Sequence, residues 1–159
     1  MERIVLAYSG GLDASIAIPW LKETFKADVV TVTLDVGPGA ELVEIRQRAL
    51  ALGALRAHVI DVREEFVRDY ALPALRAGAL YADRAPMTTA LTRPLIARKL
   101  VDVAKMENAT AVAHGCAATS DDGLRLDALV AALDPAMRVI VPTRMWEMTR
   151  DEAVTFANE

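Results

Sequence analysis

The run Ala7-Tyr8-Ser9-Gly10-Gly11-Leu12-Asp13-Ala14-Ser15 combines two adjacent glycines, two serine hydroxyls and a carboxylate. It follows an apolar segment, Ile4-Val5-Leu6, that reads as a buried strand. It leads into Ile16-Ala17-Ile18-Pro19-Trp20-Leu21, which reads as the first turns of a helix. A strand, a glycine-rich turn and a helix N-terminus together make an anion site. Glycine lets the backbone approach a ligand closely, and the first helical N–H groups have no internal acceptor. Ser9 and Ser15 add hydroxyl donors. The implied ligand is a phosphate, as in a nucleotide.

A Gly-Gly pair alone is explained by an ordinary turn. The whole context is more specific. No Gly-Lys-Ser/Thr follows, so the spacing is not that of a Walker A loop, and Gly-x-Gly-x-x-Gly is also absent.

The elements that would position this loop alternate along the chain. Strands are expected at about 3–8, at Asp28–Leu34 with its β-branched residues, at Ala57–Ile60, at Thr110–His114 and at Arg138–Val141. Helices are expected at about 14–25, at Glu41–Leu52 with Gly53 as the stop, and at Thr88–Glu107. Asp61 with Glu64 has capping-box spacing for a further helix that Pro73 breaks, with a second piece running to about Leu80. Residues 81–87 read as a loop, Leu124–Leu133 as a helix, and Thr149 as the cap of a last helix. Pro19 falls in the early turns of the first helix, where it is tolerable and can bend it, and Arg93-Pro94 interrupts the early part of the pattern at 88–107. Five strands separated by helices imply a doubly wound α/β domain with a parallel sheet covered on both faces. Ligands bind such sheets at the carboxyl ends of the strands, beside the switch in strand order. The loops at that edge are 9–15, 35–39, 61–63, 115–123 and 142–148.

Composition narrows the classes. The 159 residues suit one domain, spanning 1–159, with a substantial core. A net charge of −4 with no basic cluster gives no nucleic-acid footprint, so no such partner is expected. No apolar run is long enough to span a bilayer, and Met1-Glu2-Arg3 leads into a strand rather than a signal peptide. The single cysteine, Cys116, excludes an internal disulfide and suits a reducing cytoplasm.

The loop at 9–15 resembles the PP-loop of the N-type ATP pyrophosphatases, Ser-Gly-Gly-x-Asp-Ser/Thr-Ser. Further stretches narrow the resemblance to the argininosuccinate synthase family. Residues 7–15 match its Ala-Tyr-Ser-Gly-Gly-Leu-Asp-Thr-Ser with Ala14 for Thr. Asp35-Val36-Gly37-Pro38-Gly39 is similar to its Asp-x-Gly-Gln-Gly. Arg63-Glu64-Glu65-Phe66-Val67-Arg68-Asp69-Tyr70, Ala90-Leu91-Thr92-Arg93-Pro94-Leu95-Ile96-Ala97 and His114-Gly115-Cys116 resemble three more of its motifs. The resemblance covers essentially the whole chain. It implies an adenine nucleotide alpha hydrolase-like (HUP-type) fold and an enzyme that passes AMP from ATP to a substrate oxygen, releasing pyrophosphate. In the family that oxygen is the ureido oxygen of citrulline, and aspartate then displaces AMP.

By the resemblance, ATP with Mg²⁺ on its phosphates is held by Ala7, Tyr8, Ser9, Gly10, Gly11, Leu12, Asp13, Ser15, Thr33, Asp35, Arg93, His114 and Gly115. Asp13, Ser15 and Arg93 take the catalytic assignments. Asp122 and Arg125, with Asp121, are left for the acceptor substrate. The family's aspartate-binding Thr and Asn fall on Ala117 and Asp121, and its Lys falls on Thr119. Its citrulline-binding Tyr and Ser fall on Ala85 and Ala90. Each lost polar contact to a buried substrate group is worth about 1–3 kcal/mol. These losses argue against efficient use of citrulline and aspartate.

The family's enzymes are also longer, so a fragment and a short homologue both stay open, with a homo-oligomer or a partner subunit expected to complete the site. The leading expectation is an adenylating ligase acting on an amide, ureido or carboxylate oxygen. A true argininosuccinate synthase fragment and an ATP-binding module without turnover are the alternatives. Some residues admit blander roles. His114 reads equally as a structural histidine or a nucleotide contact, and His58 reads as structural. Cys116 reads as a packed residue rather than a nucleophile. Asp121-Asp122 reads as a Mg²⁺ contact or, for Asp122, as a helix cap. Trp146 and Met145 read as core or interface, and Asp83 and Arg84 as solvated loop charges.

Overall fold

The computed structural model describes residues 2–37, 41–81, 85–117 and 120–146. Its centre is a five-stranded, all-parallel sheet of β1 (Arg3–Ala7), β2 (Asp28–Asp35), β3 (Arg56–Asp61), β6 (Ala111–His114) and β7 (Arg138–Ile140). The strand order is β3-β2-β1-β6-β7. The order reverses between β1 and β6, which pair in register from Ile4 with Ala111 to Ala7 with His114. The α/β fold with five parallel strands is as expected.

Alternation along each strand separates two cores. Ile4, Leu6, Val29, Ala111, Ala113 and Ile140 face α1 (Leu12–Phe25), with Ala49 of α2 (Leu42–Ala51) in the same cluster. Val5, Val30, Val32 and Val112 face α5 (Thr88–Met106) and α6 (Asp121–Leu133). Both faces of the sheet are therefore buried, which explains why its strands read as continuous apolar runs. Trp146 packs edge-on against Trp20 at 5.8 Å and joins the first core, while Met145 stays exposed.

Several boundaries differ from the sequence expectation. Pro73 does not end a helix. Arg63–Phe66 (α3), a π-helical turn at Val67–Ala71 and Leu72–Arg76 (α4) run on without a break. The wider π turn absorbs a residue and relaxes the i→i−4 pattern in which proline clashes. Pro19 and Pro94 also lie inside their helices, each forfeiting one hydrogen bond, to the carbonyls of Ser15 and Ala90. Asp61 belongs to β3 rather than to a capping box. Val62 holds the N-cap position, and the Asp61 carboxylate accepts from the N–H and guanidinium of Arg63.

Part of the expected 81–87 loop is a small antiparallel pair, β4 (Leu80–Tyr81) with β5 (Ala85–Pro86). α6 starts at Asp121, before the expected Leu124. Its cap is Ser120, whose hydroxyl accepts from the N–H of Asp122, so Asp122 is not the cap. Pro38, Gly39, Asp83, Arg84, Thr119 and the helix expected from Thr149 lie outside the described residues.

Candidate functional site

The carboxyl ends of β1 and β6 open into a cavity of about 450 Å³. One wall is the phosphate loop and the start of α1, through Ala7, Tyr8, Ser9, Gly11, Asp13 and Ala14. Val32, Thr33 and Leu34 of β2 form the second wall. Thr92, Arg93, Ile96 and Leu100 of α5 face them, and His114, Gly115 and Cys116 close the floor at the end of β6. The cavity thus sits at the switch in strand order, where the first core meets the second.

The loop is built to leave donors free. Gly10 has φ of +79°, a region that penalises L side chains, and a Cβ there would lie 2.9 Å from Ile45 Cγ1 of α2. Gly10 O accepts from Arg48 Nη1 at 2.9 Å, so α2 holds the loop from outside. Gly11 is the N-cap of α1 and supplies no side-chain acceptor, which leaves the first N–H groups of the helix for a ligand. Gly11 N–H donates to Ser9 Oγ at 3.3 Å. Thr33 Oγ1 donates to Tyr8 O at 2.8 Å and fixes the loop to β2.

Of the residues expected to bind nucleotide, Ala7, Tyr8, Ser9, Gly11, Asp13, Thr33, Arg93, His114 and Gly115 line the cavity. Gly10, Leu12, Ser15 and Asp35 do not. Leu12 is exposed. Ser15 Oγ lies 3.0 Å from Tyr8 Oη, inside the loop's own hydrogen bonding. Asp35 accepts from Gly37 N–H at 3.0 Å and is 3.4 Å from Arg63 Nε.

The residues expected for an acceptor substrate lie beside the cavity at the start of α6. Asp122 accepts from Arg93 Nη2 at 3.0 Å and from Arg125 Nη1 at 3.1 Å. The hydrogen bond from Arg93 is the main reason its carboxyl is held below the ordinary value. Arg93 Nε is buried with no hydrogen-bond partner among the described residues, an unsatisfied donor on a cavity-lining side chain. Asp121 is exposed in the first turn. No cluster of three or more His, Cys, Asp or Glu side chains suited to a metal occurs among the described residues.

His114 is 2% exposed, and its Nε2 lies 2.9 Å from Asp127 Oδ1. Burial lowers its pKa, and Asp127 only partly opposes that. Cys116 is pushed up by burial, as suits a packed thiol rather than a nucleophile. His58 lies at the far edge of the sheet against Glu107, in a structural setting.

Sequence reading missed the apolar contributors Ile45, Ile96, Leu100 and Leu126, and the tether Arg48. The apolar residues carried a signal, since they repeat at helical spacing on faces directed at the sheet. Arg48 carried none.

The family described as "Arginosuccinate synthase N-terminal HUP domain" matches residues 3–159. The chain belongs to this family. Argininosuccinate synthase of Streptococcus suis is 48% identical over 158 residues, 99% of this chain and 39% of that protein. That of Streptococcus uberis is 50% identical over 158 residues with the same coverage. That of Dictyoglomus turgidum is 48% identical, over 99% of this chain and 40% of its own. The chain spans about two fifths of the curated relatives it matches. A solved structure described as a predicted subunit of tRNA methyltransferase from Methanocaldococcus jannaschii superposes with a TM-score of 0.65 at 15% identity. It covers 100% of this chain and 77% of that one. At that identity the likeness shows the fold alone.

Proposed function

We propose that this chain binds ATP with Mg²⁺ in the cavity and forms the nucleotide half of an adenylating ligase of the argininosuccinate synthase type. One observation carries the reading. The uncapped start of α1, beside a glycine at φ +79°, opens onto a cavity whose other walls are largely apolar, with Val32, Leu34, Ile96 and Leu100 between β2 and α5. Free N–H donors suit phosphate oxygens, and an apolar slot between β2 and α5 suits adenine. Membership of the family and the buried, unpartnered Nε of Arg93 add to it.

In this reading Ser9, Gly10, Gly11, Leu12, Asp13 and Ser15 hold the pyrophosphate end, and Ala7, Tyr8 and Thr33 to Asp35 approach the adenosine. His114 and Gly115 form the floor. Arg93 places positive charge beside the reacting phosphate. An acceptor oxygen attacks the α-phosphorus, the bond from that phosphorus to the bridging oxygen breaks, and pyrophosphate leaves with the electron pair. Catalysis of this kind is positioning and charge stabilisation. Mg²⁺ supplies charge neutralisation on the phosphates. Asp13, Ser15 and Arg93 are the catalytic assignments, and Asp121, Asp122 and Arg125 border the acceptor. The acceptor is an amide, ureido or carboxylate oxygen. The enzyme of this reading is cytoplasmic, the compartment its single cysteine suits. Among the described residues no helix is long and apolar enough to cross a membrane.

A second reading is favoured by coverage. Relatives about 2.5 times as long, of which this chain matches 39%, fit a chain that works as part of a true argininosuccinate synthase, completed by further sequence or a partner subunit. Thr119 and Asp121, at the positions of the family's Lys and Asn, favour instead a module that binds ATP without turnover.

Pyrophosphate release from ATP and Mg²⁺ separates these. The assay is run with citrulline and aspartate, then with other amides and acids. Release with another acceptor supports the ligase reading, and release that requires citrulline and aspartate supports the second. ATP binding without release under any condition, also after the remaining family sequence is added in trans, leaves the module. No ATP binding overturns all three.

A further inference from the structure

The floor of the cavity is gripped from behind by a chain of polar groups that none of the phosphate contacts uses. Gly115 presses on the start of α1, where a Cβ would stand 3.2 Å from the Ala14 nitrogen. The next residue is held at both of its backbone polar groups. Cys116 N–H donates to His114 Nδ1 at 3.4 Å, and Cys116 O accepts from Thr143 Oγ1 at 2.5 Å. Asp127 of α6 accepts at Oδ1 from the His114 ring at 2.9 Å and at Oδ2 from Arg144 Nη1 at 2.6 Å. Arg144 and Thr143 belong to α7 (Pro142–Met145). A side chain at Gly123 would meet Arg144 Nη2 at 3.0 Å, so this glycine leaves the guanidinium room to reach Asp127.

These contacts select one form of the ring. A nitrogen that accepts an N–H carries no proton, so Nδ1 is bare and the proton sits on Nε2, where it is donated to Asp127. A doubly protonated ring has no acceptor left for Cys116. We infer that His114, set by Asp127 and Arg144, is a positioning residue whose neutral Nε2–H form holds the Gly115–Cys116 turn against the first turn of α1, so that protonating it loosens the phosphate-binding end of the cavity. The charged groups facing the ring are Asp127 from α6, Arg144 from α7 and Arg93 from α5. Burial and the two arginines favour the neutral form, and Asp127 opposes them. The effect on nucleotide rests on the ATP reading of this cavity, but the coupling of ring to turn does not.

The test is a pH series on the intact chain from about pH 8 to about pH 5, the range in which histidine titrates. Nitrogen-15 NMR of the ligand-free protein reads the His114 ring and the Cys116 amide. The chain has only two histidines, so the ring signals are separable. The expected result is an Nε2–H tautomer at neutral pH and a Cys116 amide that moves together with ring protonation.

Calorimetric titration with ATP and Mg²⁺ reads the effect on the site. His114→Asn keeps an acceptor near the Nδ1 position and does not titrate. The wild type should lose about tenfold more ATP affinity than this variant across the series, a shift of one decade in Kd. Ionisation of ATP and of every other side chain is common to both proteins, so the difference isolates His114. If His114→Asn does not fold, Asp127→Asn replaces it. Removing that charge favours the neutral ring and should move the Cys116 transition to lower pH. An Nδ1–H tautomer, a Cys116 amide indifferent to ring protonation, or parallel affinity profiles overturn the inference. Coupled ring and amide titration without ATP binding at any pH sustains the positioning role and overturns the nucleotide reading instead.

Discussion

The two edges of the sheet treat polar groups in opposite ways. At the amino edge, Glu107 is 3% exposed and meets two guanidiniums and an imidazole. Its Oε2 lies 2.8 Å from Arg56 and 3.2 Å from Arg3, its Oε1 2.9 Å from His58, and its carbonyl accepts from Arg3 at 2.6 Å. Burial pushes this carboxyl up, and the hydrogen bonds and charges of His58 and Arg56 outweigh that, leaving it below its ordinary value. That edge ties β1, β3 and the end of α5 together through the Glu107 carboxylate. At the carboxyl edge, α1 begins without a side-chain cap and Arg93 Nε has no partner among the described residues. One edge pairs its buried carboxylate within the fold and stabilises it, with only Arg3 Nε left as a buried donor lacking a partner among the described residues of that cluster. The other leaves groups to be satisfied by a ligand, as a binding site must. Substitutions at the amino edge should therefore move stability and spare ATP, and those at the carboxyl edge should do the reverse.

The largest effect is expected at Gly10. Gly10→Ala meets a left-handed backbone costing about 1–2 kcal/mol and a contact with Ile45 costing about 1–3 kcal/mol. If the loop absorbs this, ATP affinity falls by on the order of 10²-fold, measured by calorimetry. Gly11→Ala is the contrast. Gly11 has φ of −74°, and its Cβ would meet only Ser9 Oγ, at 3.4 Å. Equal losses at the two glycines would break the assignment of Gly10 as the constrained position.

The counterpart at the amino edge is Glu107→Ala. Breaking a fully buried ion cluster costs about 3–5 kcal/mol. Arg56 is 58% exposed, so water recovers part of the loss, and about 2–3 kcal/mol is expected by urea unfolding. ATP affinity should change less than twofold, within a few tenths of a kcal/mol. A variant as stable as the wild type, or one that loses ATP, would erase the contrast between the edges.

The pH dependence follows from the same cluster. The folded pKa of Glu107 lies below its ordinary 4.5, so its contribution is present above 4.5 and is lost as pH falls through the folded value. Unfolding free energy should therefore drop between about pH 5 and about pH 3, where folded-state carboxylates take up protons. Glu107→Gln should flatten that limb without abolishing it, because Asp122 and Asp127 at the carboxyl edge are also held low. An unchanged slope would assign acid sensitivity to the carboxyl edge alone.

The sheet and the phosphate loop were legible because their signals are local. Ile4–Leu6 and Asp28–Leu34 are apolar or β-branched runs, and Ser9–Ser15 is contiguous. The contrast between edges was not legible, because it is made of long-range pairs. Arg3 and Glu107 are 104 residues apart, and Arg48 and Gly10 are 38 apart. Helix interruptions were over-read at Pro73 and Pro94, whereas Pro19 is tolerated in its helix as expected. Pro19, Pro73 and Pro94 each cost a hydrogen bond, but α1 buries Ile16, Ile18 and Leu21 and α5 buries Leu95 and Leu100, and that burial outweighs the loss. The start of α6 was misread for a related reason. Ser120 and Asp122 are both good caps, and the choice between them is settled by Arg93, which claims the Asp122 carboxylate from another helix.

The smallest expected effect sharpens what the loop does by itself. Tyr8 is 3% exposed, and its hydroxyl pairs with Ser15 Oγ at 3.0 Å. Tyr8→Phe removes that bond while keeping the ring in the core. A neutral side-chain hydrogen bond of this kind contributes about 0.5–1.5 kcal/mol, so stability should fall by about 1 kcal/mol. The consequence for ATP depends on which partner Ser15 keeps. If Ser15 turns to a phosphate when ATP binds, the Tyr8 pairing competes with binding, and Tyr8→Phe leaves affinity unchanged or slightly higher. If the Tyr8 hydroxyl instead aims Ser15 at the phosphate, affinity falls by about threefold to tenfold, the share of about 1 kcal/mol that is lost only in the complex. Ser15→Ala decides between the two. Affinity that falls in Ser15→Ala and not in Tyr8→Phe marks Ser15 as a donor released to the ligand. Equal losses in both mark the pair as one unit, and no loss in either returns Ser15 to a purely structural role in the loop.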